Sequence, residues 1–482
     1  MRRRSLLTGA LGGTFLLAAG CGNPVDTVGQ VDFSRPLLIP PLARSTVDGD
    51  GQRVFTLHAQ PGQRDFGIDG TTRTFGFNGD YLGPTLRARR GERVRVDVVN
   101  NLDEDTSVHW HGMHLPARMD GGPHQPVRPG ATWSPTWTVN QPAATLWYHP
   151  HPHGRTREQV NQGLAGMFIL DDDDPTQRAL PHDYGVDDIP VIVQDKDIHG
   201  GRIRNQKTGN LLLVNGTYAP YLTVVTDRVR LRLLNASVSR VYAFGLADQR
   251  PVHLVATDGG RLAAPVPLSR IRLSPGERAE IVVPVHAGER VALRSFPPEL
   301  GGKSFETGRD QFDVLDLRAA ATLRRSANLP ADFGELPRLD PATAVTTRDF
   351  RLTGTNINGD EMDMDRIDAV TTLGTTEIWT VRNTDGQRHN FHVHDVQFRV
   401  LSIDGAAPPA ELSGWKDTVF LPPKSAARLI MKFADYADPE LPYMYHCHLL
   451  MHEDDGMMGQ FVVVEPGQSA GRISGVGAHE HH

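Results

Sequence analysis

The sequence predicts an all-β protein made of three Greek-key β-sandwich units, and three observations support this fold class. The chain of 482 residues contains 48 Gly and 35 Pro, a composition that favours many short strands joined by turns. This length suits about three domains of ordinary size. Strand-like alternation of apolar and polar residues also recurs three times at long spacing, which is typical of a repeated unit.

Each copy of the repeat contains a strand that ends in Asn. The three strands are 91–100, 227–235 and 375–383. An Asn-Gly turn precedes each strand and a Pro-containing turn follows it. The turns before and after are Asn78-Gly79 and Pro129-Gly130, Asn215-Gly216 and Pro275-Gly276, and Asn358-Gly359 and Pro422-Pro423-Lys424. We therefore expect sandwiches of about 130–150 residues. The predicted bounds are 45–178, 179–335 and 345–468, followed by a flexible tail at 469–482.

Composition and charge exclude some classes of protein. The chain is 39% apolar and 22% charged with a formal charge of −7, which is typical of a soluble globular protein. A nucleic-acid-binding protein would need a basic stripe, and the sequence has none. We therefore expect no nucleic-acid partner.

The first 21 residues predict an export signal. Arg2-Arg3-Arg4-Ser5-Leu6-Leu7 resembles a twin-arginine (Tat) signal, which exports proteins already folded. Cys21 follows Ala18-Ala19-Gly20 and resembles a lipoprotein cleavage site, so we expect a lipid anchor there. The alternative is a plain signal cleaved elsewhere. The expected location is the periplasm or the outer face of the cell membrane.

The two cysteines, Cys21 and Cys447, are expected to serve different purposes. Lipidation of Cys21 would leave no partner for an internal disulfide. A free exported thiol without a metal would be prone to oxidation. Cys447 is therefore expected to bind a metal.

Histidine pairs give the main functional signal. With 21 His in 482 residues, chance gives about one His-x-His pair, whereas the chain has several. The pairs are His109/His111, His149/His151, His151/His153, His392/His394, His446/His448 and, in the tail, His479/His481. On a strand, residues i and i+2 share a face and present two imidazoles to one side. A lone strand histidine is usually structural, but four pairs at corresponding places predict a metal centre.

The repeat shows which pairs correspond. His109 and His111 lie nine and eleven residues after Asn100, as do His392 and His394 after Asn383. In the middle unit the same offsets give Phe244 and Leu246, and later in the units His149-Pro150-His151 matches His446-Cys447-His448. The eight histidines thus come from the first and third units. We expect these two units to pack around a shared cluster, with the middle unit as a spacer.

Cys447 defines a second site behind that cluster. Between His446 and His448 on a strand, its side chain would point the opposite way. With His389, His452 and Met457 it completes two imidazoles, a thiolate and an axial thioether, which is the blue-copper electron-transfer set. The first unit has Pro150 and Leu164 at the Cys and Met positions. We therefore expect a single point of electron entry, wired by one strand to a polynuclear copper cluster that reduces dioxygen.

Four segments closely resemble the signatures of multicopper oxidases. They are His109-Trp110-His111-Gly112, Trp147-Tyr148-His149-Pro150-His151, His389-Asn390-Phe391-His392-Val393-His394 and the segment around Cys447. The resemblance implies three cupredoxin-like domains and four copper ions. It would place type 1 copper on His389, Cys447, His452 and Met457, type 2 copper on His109 and His392, and the type 3 pair on His111, His149, His151, His394, His446 and His448. Asn390 departs from the family, which usually has Pro there, and we expect this change to be tolerated.

Three carboxylates are candidate catalytic residues. Asp120 and Glu453 match family positions near the cluster, where oxygen reduction needs proton donors. Asp385, four residues before His389, is a candidate for steering substrate at the type 1 edge. The structural alternatives are a loop-stabilising carboxylate and a solvated turn. His114, His124 and His153 are expected to be surface or supporting residues, and no role is expected for His479, His481 and His482.

The electron donor is left open between two classes. Copper-efflux oxidases usually carry a methionine-rich segment over the type 1 site, whereas this chain has 11 Met with none between Met167 and Met362. An open type 1 edge favours a laccase-like oxidase of phenols or aromatic amines. Met362 and Met364 leave cuprous-ion oxidation as the alternative. A non-enzymatic binding or cell-division protein of the same fold would lack copper ligands, so it is disfavoured. The expected partners are O2 and the small donor, and a monomer is expected.

Overall fold

The computed structural model describes residues 24–68, 70–301 and 307–473. Strands dominate it, so the all-β prediction is confirmed. The helices are short: α1 Thr156–Gln162, α2 Pro175–Ala179, α3 Leu450–Asp454 and 3-10 turns at Ala117–Met119, Pro341–Thr343 and Ala410–Leu412. The predicted export signal with Cys21, and the tail from residue 474 onward, lie outside the described residues. Among the described helices, none has the length and apolarity needed to cross a bilayer.

The strands form three sandwiches of two sheets each. The strands up to the end of the first sandwich are β1 Arg35–Pro36, β2 Ser45–Val47, β3 Arg53–Asp65, β4 Thr71–Phe77, β5 Leu86–Arg89, β6 Arg93–Asn100, β7 His109–His111, β8 Thr132–Trp133, β9 Thr136–Thr138, β10 Ala144–His149 and β11 Gly166–Asp171. The inner sheet of the first sandwich has the order β5-β11-β10-β7. The outer sheet of this sandwich contains the order β4-β3-β6-β8.

The middle sandwich follows. Its part of the chain contains β12 Asp188–Lys196, β13 Ile198–His199, β14 Arg202–Ile203, β15 Leu211–Val214, β16 Thr217–Tyr218, β17 Pro220–Thr226, β18 Arg228–Asn235, β19 Tyr242–Leu246, β20 Val252–Thr257, β21 Gly260–Leu268, β22 Ile271–Leu273, β23 Arg278–Pro284, β24 Arg290–Phe296 and β25 Phe312–Arg324. The two sheets have the orders β16-β15-β12-β18-β23-β20-β21 and β1-β17-β25-β24-β19-β22.

The third sandwich completes the fold. Its strands are β26 Ala344–Thr353, β27 Asn356–Ile357, β28 Ala369–Thr372, β29 Thr376–Asn383, β30 His389–Val393, β31 Phe398–Ile403, β32 Thr418–Leu421, β33 Ala426–Lys432, β34 Asp438–His446 and β35 Met458–Val464. The sheet orders are β27-β26-β29-β33-β31 and β28-β35-β34-β30-β32. Each sandwich encloses its own apolar core, since alternate side chains of both sheets point inward.

The Asn that ends each repeat strand plays the same structural role in all three sandwiches. The side-chain amides of Asn100, Asn235 and Asn383 each donate to a carbonyl of the loop that follows the strand and to a carbonyl of a more distant segment. Their side-chain oxygens accept from the backbone N–H two residues on. These bonds satisfy backbone groups of the loop that follows the strand. In the first and third sandwiches that loop leads into the histidine strands β7 and β30, so the Asn helps to position them.

The repeat strands differ in burial. In β6, Val94, Val96 and Val98 are buried and alternate with more exposed residues, as the sequence predicts. β18 is buried on both faces because Arg230 and Arg232 pair with acidic partners. Arg232 bonds to Asp188 at 2.6 and 2.9 Å. The alternating charges that suggest a solvated face are thus buried ion pairs of the middle sandwich.

The first and middle sandwiches exchange edge strands and share an apolar core. β1 pairs in parallel with β17 of the middle sandwich, although it precedes the whole first sandwich. In the other direction, β14 pairs with β4 at the edge of the first sandwich. A further apolar core joins the two units and includes Trp147, Met167, Ile192 and Leu213.

Candidate metal centre

Eight buried histidines meet between the first and third sandwiches. This histidine cluster consists of His109, His111, His149, His151, His392, His394, His446 and His448, each at most 1% exposed. The strand register explains the symmetry. His149 lies opposite His109 in the pair β10–β7, and His446 lies opposite His392 in the pair β30–β34. The structure therefore brings together all eight histidines that the repeat pattern singled out.

Six of these imidazoles form two groups of three. In one group, His149 Nε2 is 3.4 Å from both His111 Nδ1 and His448 Nε2. In the other, His446 Nε2 is 3.2 Å from both His151 Nε2 and His394 Nε2. Two imidazole nitrogens that bind one metal ion at about 2 Å are themselves roughly 3.3 Å apart. Each group therefore has the spacing that one copper ion requires.

His109 and His392 form the third possible metal position of the cluster. The Nδ1 atom of His109 lies 3.1 Å from the carbonyl oxygen of Asp120, and that of His392 lies 2.9 Å from the carbonyl of Asp417. Carbonyls only accept, so each ring donates its Nδ1–H and keeps an unprotonated Nε2. Both Nε2 atoms are buried and have no hydrogen-bond partner among the described residues. Such unpaired buried nitrogens fit a metal ion.

Burial lowers the pKa of six cluster imidazoles and so favours their neutral form: His111, His149, His151, His392, His394 and His448. It lowers the pKa of His448 to about 3 and that of His151 to about 4, and the neighbouring imidazoles add to the effect in both cases. Neutral imidazole is the form that binds metal ions. These six imidazoles are thus ready for copper at ordinary pH without first losing protons.

Two of the three predicted carboxylates touch this cluster. Asp120 Oδ2 is 2.7 Å from His394 Nδ1, and Glu453 Oε2 is 3.1 Å from His446 Nδ1. Burial would raise the pKa of Glu453, but the close contacts with His151 and His446 outweigh it and lower the pKa. Both carboxylates therefore contact the imidazole nitrogens that face away from the middle of the cluster. Only one imidazole separates each carboxylate from the reacting centre.

The second predicted site lies behind the cluster. This thiol site consists of His389, Cys447, His452 and Met457. Cys447 Sγ is 3.7 Å from His389 Nδ1 and 3.6 Å from His452 Nδ1, and the two nitrogens are 3.1 Å apart. This triangle suits one copper ion bound by two imidazoles and a thiolate. Met457 is fully buried in the same core as Cys447, and its carbonyl accepts from the Cys447 N–H at 3.1 Å.

The thiol is buried and would deprotonate on binding metal. Burial raises the pKa of Cys447 to about 12, so the metal-free side chain is a thiol, and a bound soft cation would stabilise the thiolate. Asn390, at the position where the family usually has Pro, fills the space beside the sulfur. Its Oδ1 lies 3.6 Å from Cys447 Sγ, and its amide donates to Ser274 and Pro275.

The remaining candidates occupy supporting positions. Asp385 Oδ2 is 3.2 Å from His389 Nε2, the nitrogen that faces away from the thiol. His114 contacts Asp435 and Gln397, and His124 contacts Gln460. His153 is exposed. Within the described residues, none of these three histidines joins a possible metal-binding group.

The strand assignment of the ligands differs partly from the prediction. β10 ends at His149 and β30 at Val393, so His151 and His394 lie just past the ends of strands. β34 ends at His446, so Cys447 and His448 lie in the segment between β34 and α3 rather than on a strand. The reason is that the chain must turn there to bring His452 back to Cys447. The alternation of side chains persists through the turn, with His446 and His448 in the cluster and Cys447 in the thiol site.

Two buried residues escaped the sequence analysis. Asp417 Oδ1 is 3.0 Å from His111 Nε2, and Arg278 donates to both carboxylate oxygens of Asp417. Neither residue belongs to a histidine motif or to a repeated position, so the sequence pattern carries no signal for them.

This fold and these two sites define a copper-dependent oxidoreductase that uses dioxygen, and the comparisons with known proteins agree. Models of the multicopper oxidase family match residues 60–175 and 336–467. The chain therefore belongs to the multicopper oxidase family, which uses four coppers, one of type 1, one of type 2 and two of type 3. The fold prediction of three cupredoxin-like domains is confirmed with it.

Particular relatives cover nearly the whole chain. The multicopper oxidase mco of Staphylococcus haemolyticus is 36% identical over 89% of this chain and 92% of its own length. The cell division protein FtsP of Shigella dysenteriae is 36% identical over 94% of this chain and 97% of its own. Among solved structures, the laccase-like CueO of Ochrobactrum sp., with activity towards lignin model compounds, has a TM-score of 0.81 and 37% identity over 89% and 100% of the two chains.

Proposed function

We propose that this laccase-like oxidase takes electrons singly from phenols or aromatic amines at the thiol site and passes them to the histidine cluster. The observation that carries the proposal is the continuous segment His446-Cys447-His448. Cys447 belongs to the thiol site, whereas His446 and His448 belong to opposite groups of the cluster. When bound, copper supplies one-electron uptake at the first site and reduction of dioxygen to water at the second.

The protein's own residues orient and protect these centres. Asp120, Glu453 and Asp417 fix the outer nitrogens of cluster imidazoles. Burial excludes bulk water from the cluster, and the two predicted proton donors lie against it. We propose that Asp120 and Glu453 relay to the cluster the protons that oxygen reduction consumes.

Phenol as the donor is supported by Asp385. Its carboxylate is held against His389 and its side chain is 18% exposed, so a donor at this edge meets a proton acceptor. A phenol loses a proton as it loses an electron, and a nearby carboxylate favours that loss.

Oxygen uptake by the copper-loaded protein tests the proposal. Rapid uptake with a phenolic donor, without added copper ion, is the expected result. A Cys447→Ser variant should lose the blue colour and the uptake, whereas Ser425→Ala, which changes a hydroxyl of the same sandwich outside both sites, should keep them. No uptake by the parent protein with any donor would contradict the oxidase proposal.

Cuprous-ion oxidation is the second candidate, favoured by one contact. The N–H of Met362 donates to the carbonyl of Gly456 at 2.9 Å, directly before Met457. The acidic segment that contains Met362 and Met364 thus packs beside the thiol site. If it binds Cu(I), chelated Cu(I) should be oxidised much faster than phenol, and a Met362→Leu/Met364→Leu variant should lose only the Cu(I) activity.

The similarity to cell division proteins leaves a non-catalytic role to be tested. The complete donor sets of both sites favour the enzyme, because a binding protein has no need of them. A protein that takes up four coppers per chain and turns blue fits the oxidase. A colourless protein with no bound copper would fit the other role.

We further propose that the chain is exported as a monomer and anchored through Cys21. The twin-arginine segment and the sequence before Cys21 support this proposal. Fractionation of cells and mass spectrometry of the mature N-terminus test it. A lipid on Cys21 is expected, whereas a cleavage site elsewhere would contradict the anchor. Light scattering of the mature chain tests the monomer.

A further inference from the structure

Asp417 holds two cluster histidines by opposite ring nitrogens. Its carboxylate Oδ1 is 3.0 Å from His111 Nε2, and its backbone carbonyl is 2.9 Å from His392 Nδ1. Both oxygens only accept, so His111 donates from Nε2 and His392 donates from Nδ1. His111 is left with Nδ1 for a metal and His392 with Nε2. One residue therefore selects both tautomers, although the two rings are stacked with centroids 3.7 Å apart.

Arg278 holds the carboxylate of Asp417 in place. Nη1 donates to Oδ1 and Nη2 donates to Oδ2, each at 2.7 Å. Nε of Arg278 donates to the Thr145 carbonyl at 2.9 Å, and the guanidinium has no exposed area. Paired bonds of this kind fix both distance and plane. Arg278 belongs to the middle sandwich, Thr145 to the first and Asp417 to the third, so all three units meet at this guanidinium.

Close packing leaves the pair no freedom. Gly112, which follows His111, has φ of +86°, and a Cβ there would lie 2.6 Å from Asp417 Oδ2 and 2.7 Å from Arg278 Nη2. On the other side, a Cβ on Gly276 of the middle sandwich would lie 3.1 Å from His111 Cε1 and from His448 Cγ. Only glycine fits at these contacts. The middle sandwich thus touches the cluster rings directly, although it contributes no ligand from its described residues.

We propose that Arg278 and Asp417 are positioning residues of the histidine cluster, and that the middle sandwich sets the tautomers of His111 and His392 through them. The pair acts through the histidines and touches neither substrate nor oxygen. This inference rests on the proposed copper-oxidase function. Loss of such an outer partner typically costs about 10- to 100-fold in metal affinity or activity.

The test compares Asp417→Asn with Asp188→Asn in the copper-loaded protein. Both aspartates are fully buried partners of a paired arginine of the middle sandwich, Arg278 and Arg232 respectively. Asp188 contacts no histidine among the described residues, so its variant controls for the loss of a buried ion pair. Three quantities are measured: copper per chain after dialysis against a chelator, the spectra of the two sites, and the rates of blue-site reduction and of reoxidation by oxygen.

We expect Asp417→Asn to keep the blue absorption and the rate of blue-site reduction within about twofold. Its reoxidation by oxygen should slow about 10- to 100-fold, and cluster copper should be lost to the chelator. Asp188→Asn should keep its full copper content and native spectra. Unchanged copper, spectra and reoxidation in Asp417→Asn, or equal losses in both variants, would overturn the proposal.

A second variant covers failure of the first to fold. If Asp417→Asn shows no blue absorption, Arg278→Lys is measured in the same way, because it keeps the charge but loses the paired geometry. It should show altered cluster spectra with an intact blue site, and native cluster spectra would overturn the proposal. A parent protein that binds copper but reduces no oxygen would contradict the proposed function instead, while the copper-retention comparison would still decide the positioning role.

Discussion

The carboxylate of Asp385 lies 3.2 Å from Nε2 of His389, on the side of the imidazole that faces away from Cys447. Two backbone bonds fix it there, from Gly354 N at 2.6 Å and Gln387 N at 2.7 Å. Burial alone would raise the pKa of Asp385, but these backbone bonds and the contact with His389 lower it. The carboxylate is therefore ionised at neutral pH, at the rim of the thiol site.

Asp385→Asn should separate protic from non-protic donors. Asn keeps an oxygen for His389 but removes the charge and the proton acceptor, so kcat/KM for a phenol should fall about tenfold or more. Turnover of ferrocyanide, which releases no proton, should change far less. Asp349→Asn, at an exposed position of the same sandwich, is the control and should affect neither. Equal losses for both donors would show that Asp385 acts only through the copper site.

Met457→Leu should raise the reduction potential of the blue site. The thioether of Met457 would donate to a bound copper ion and stabilise its oxidised form, whereas an apolar side chain would not. The swap conserves volume and should cost less than about 1.5 kcal/mol of stability. Redox titration of the blue absorption measures the potential. Met458→Leu, one residue further and also buried, is the matched control, and an identical shift in both variants would argue against Met457 as a copper ligand.

Glu453→Gln should slow the oxygen half of the reaction. It removes an ionisable group beside His446 and keeps its size, so reoxidation should slow about 100-fold if Glu453 relays protons to the cluster. Stopped-flow reoxidation measures this rate, and anaerobic reduction of the blue site should stay unchanged. A variant that reoxidises at the parent rate at every pH would remove Glu453 from the proton path. Copper content must be compared in parallel, because Glu453 also orients His446.

Lys196→Met should stabilise the protein most at and below neutral pH. Lys196 is 1% exposed, its Nζ donates to Asn161 Oδ1 at 3.1 Å, and burial lowers its pKa to about 7. Between this pKa and about 10.4 the unfolded chain binds the extra proton, so the stability of the parent rises with pH through that window. The advantage of the variant should be about 2–3 kcal/mol at pH 7, after allowing for the lost hydrogen bond, and should shrink towards pH 10.

Denaturation midpoints of the copper-loaded proteins, taken from pH 6 to 10, measure this trend. Lys432→Met, at an exposed position of β33, is the control for removing a lysine, and its gap to the parent should change less with pH than that of Lys196→Met. A gap between Lys196→Met and the parent that stays constant over this range would contradict the assigned cause.

The sequence predicted which residues lie close together where their positions follow from local spacing. His109 and His111 share a strand face, and the repeat relates them to His392 and His394, so their meeting could be inferred. Cys447 was assignable because few centres use a thiol between two histidines that is followed closely by another His and a Met. Residue spacing is informative here because one strand carries several of the predicted ligands at once.

The supporting contacts were not predictable for a physical reason. Asp417 and Arg278 are 139 residues apart, and their pairing depends on how three sandwiches pack. Charged residues in a strand normally predict a solvated face, and nothing local distinguishes Arg232 of β18 as buried. The sequence also did not predict that β34 ends at His446. The chain leaves the strand there because His452 must return to Cys447, and local spacing does not show that contact.

The exchange of edge strands between the first two sandwiches has a consequence for how the molecule can be divided. β1 precedes the first sandwich in sequence but pairs with a sheet of the middle sandwich. β14 lies in the middle part of the chain but pairs with a sheet of the first sandwich. A cut at the junction near residue 178 would leave each fragment missing a border strand and exposing open backbone groups. The two units are therefore interlocked along the chain, and neither can be transplanted as a self-contained module.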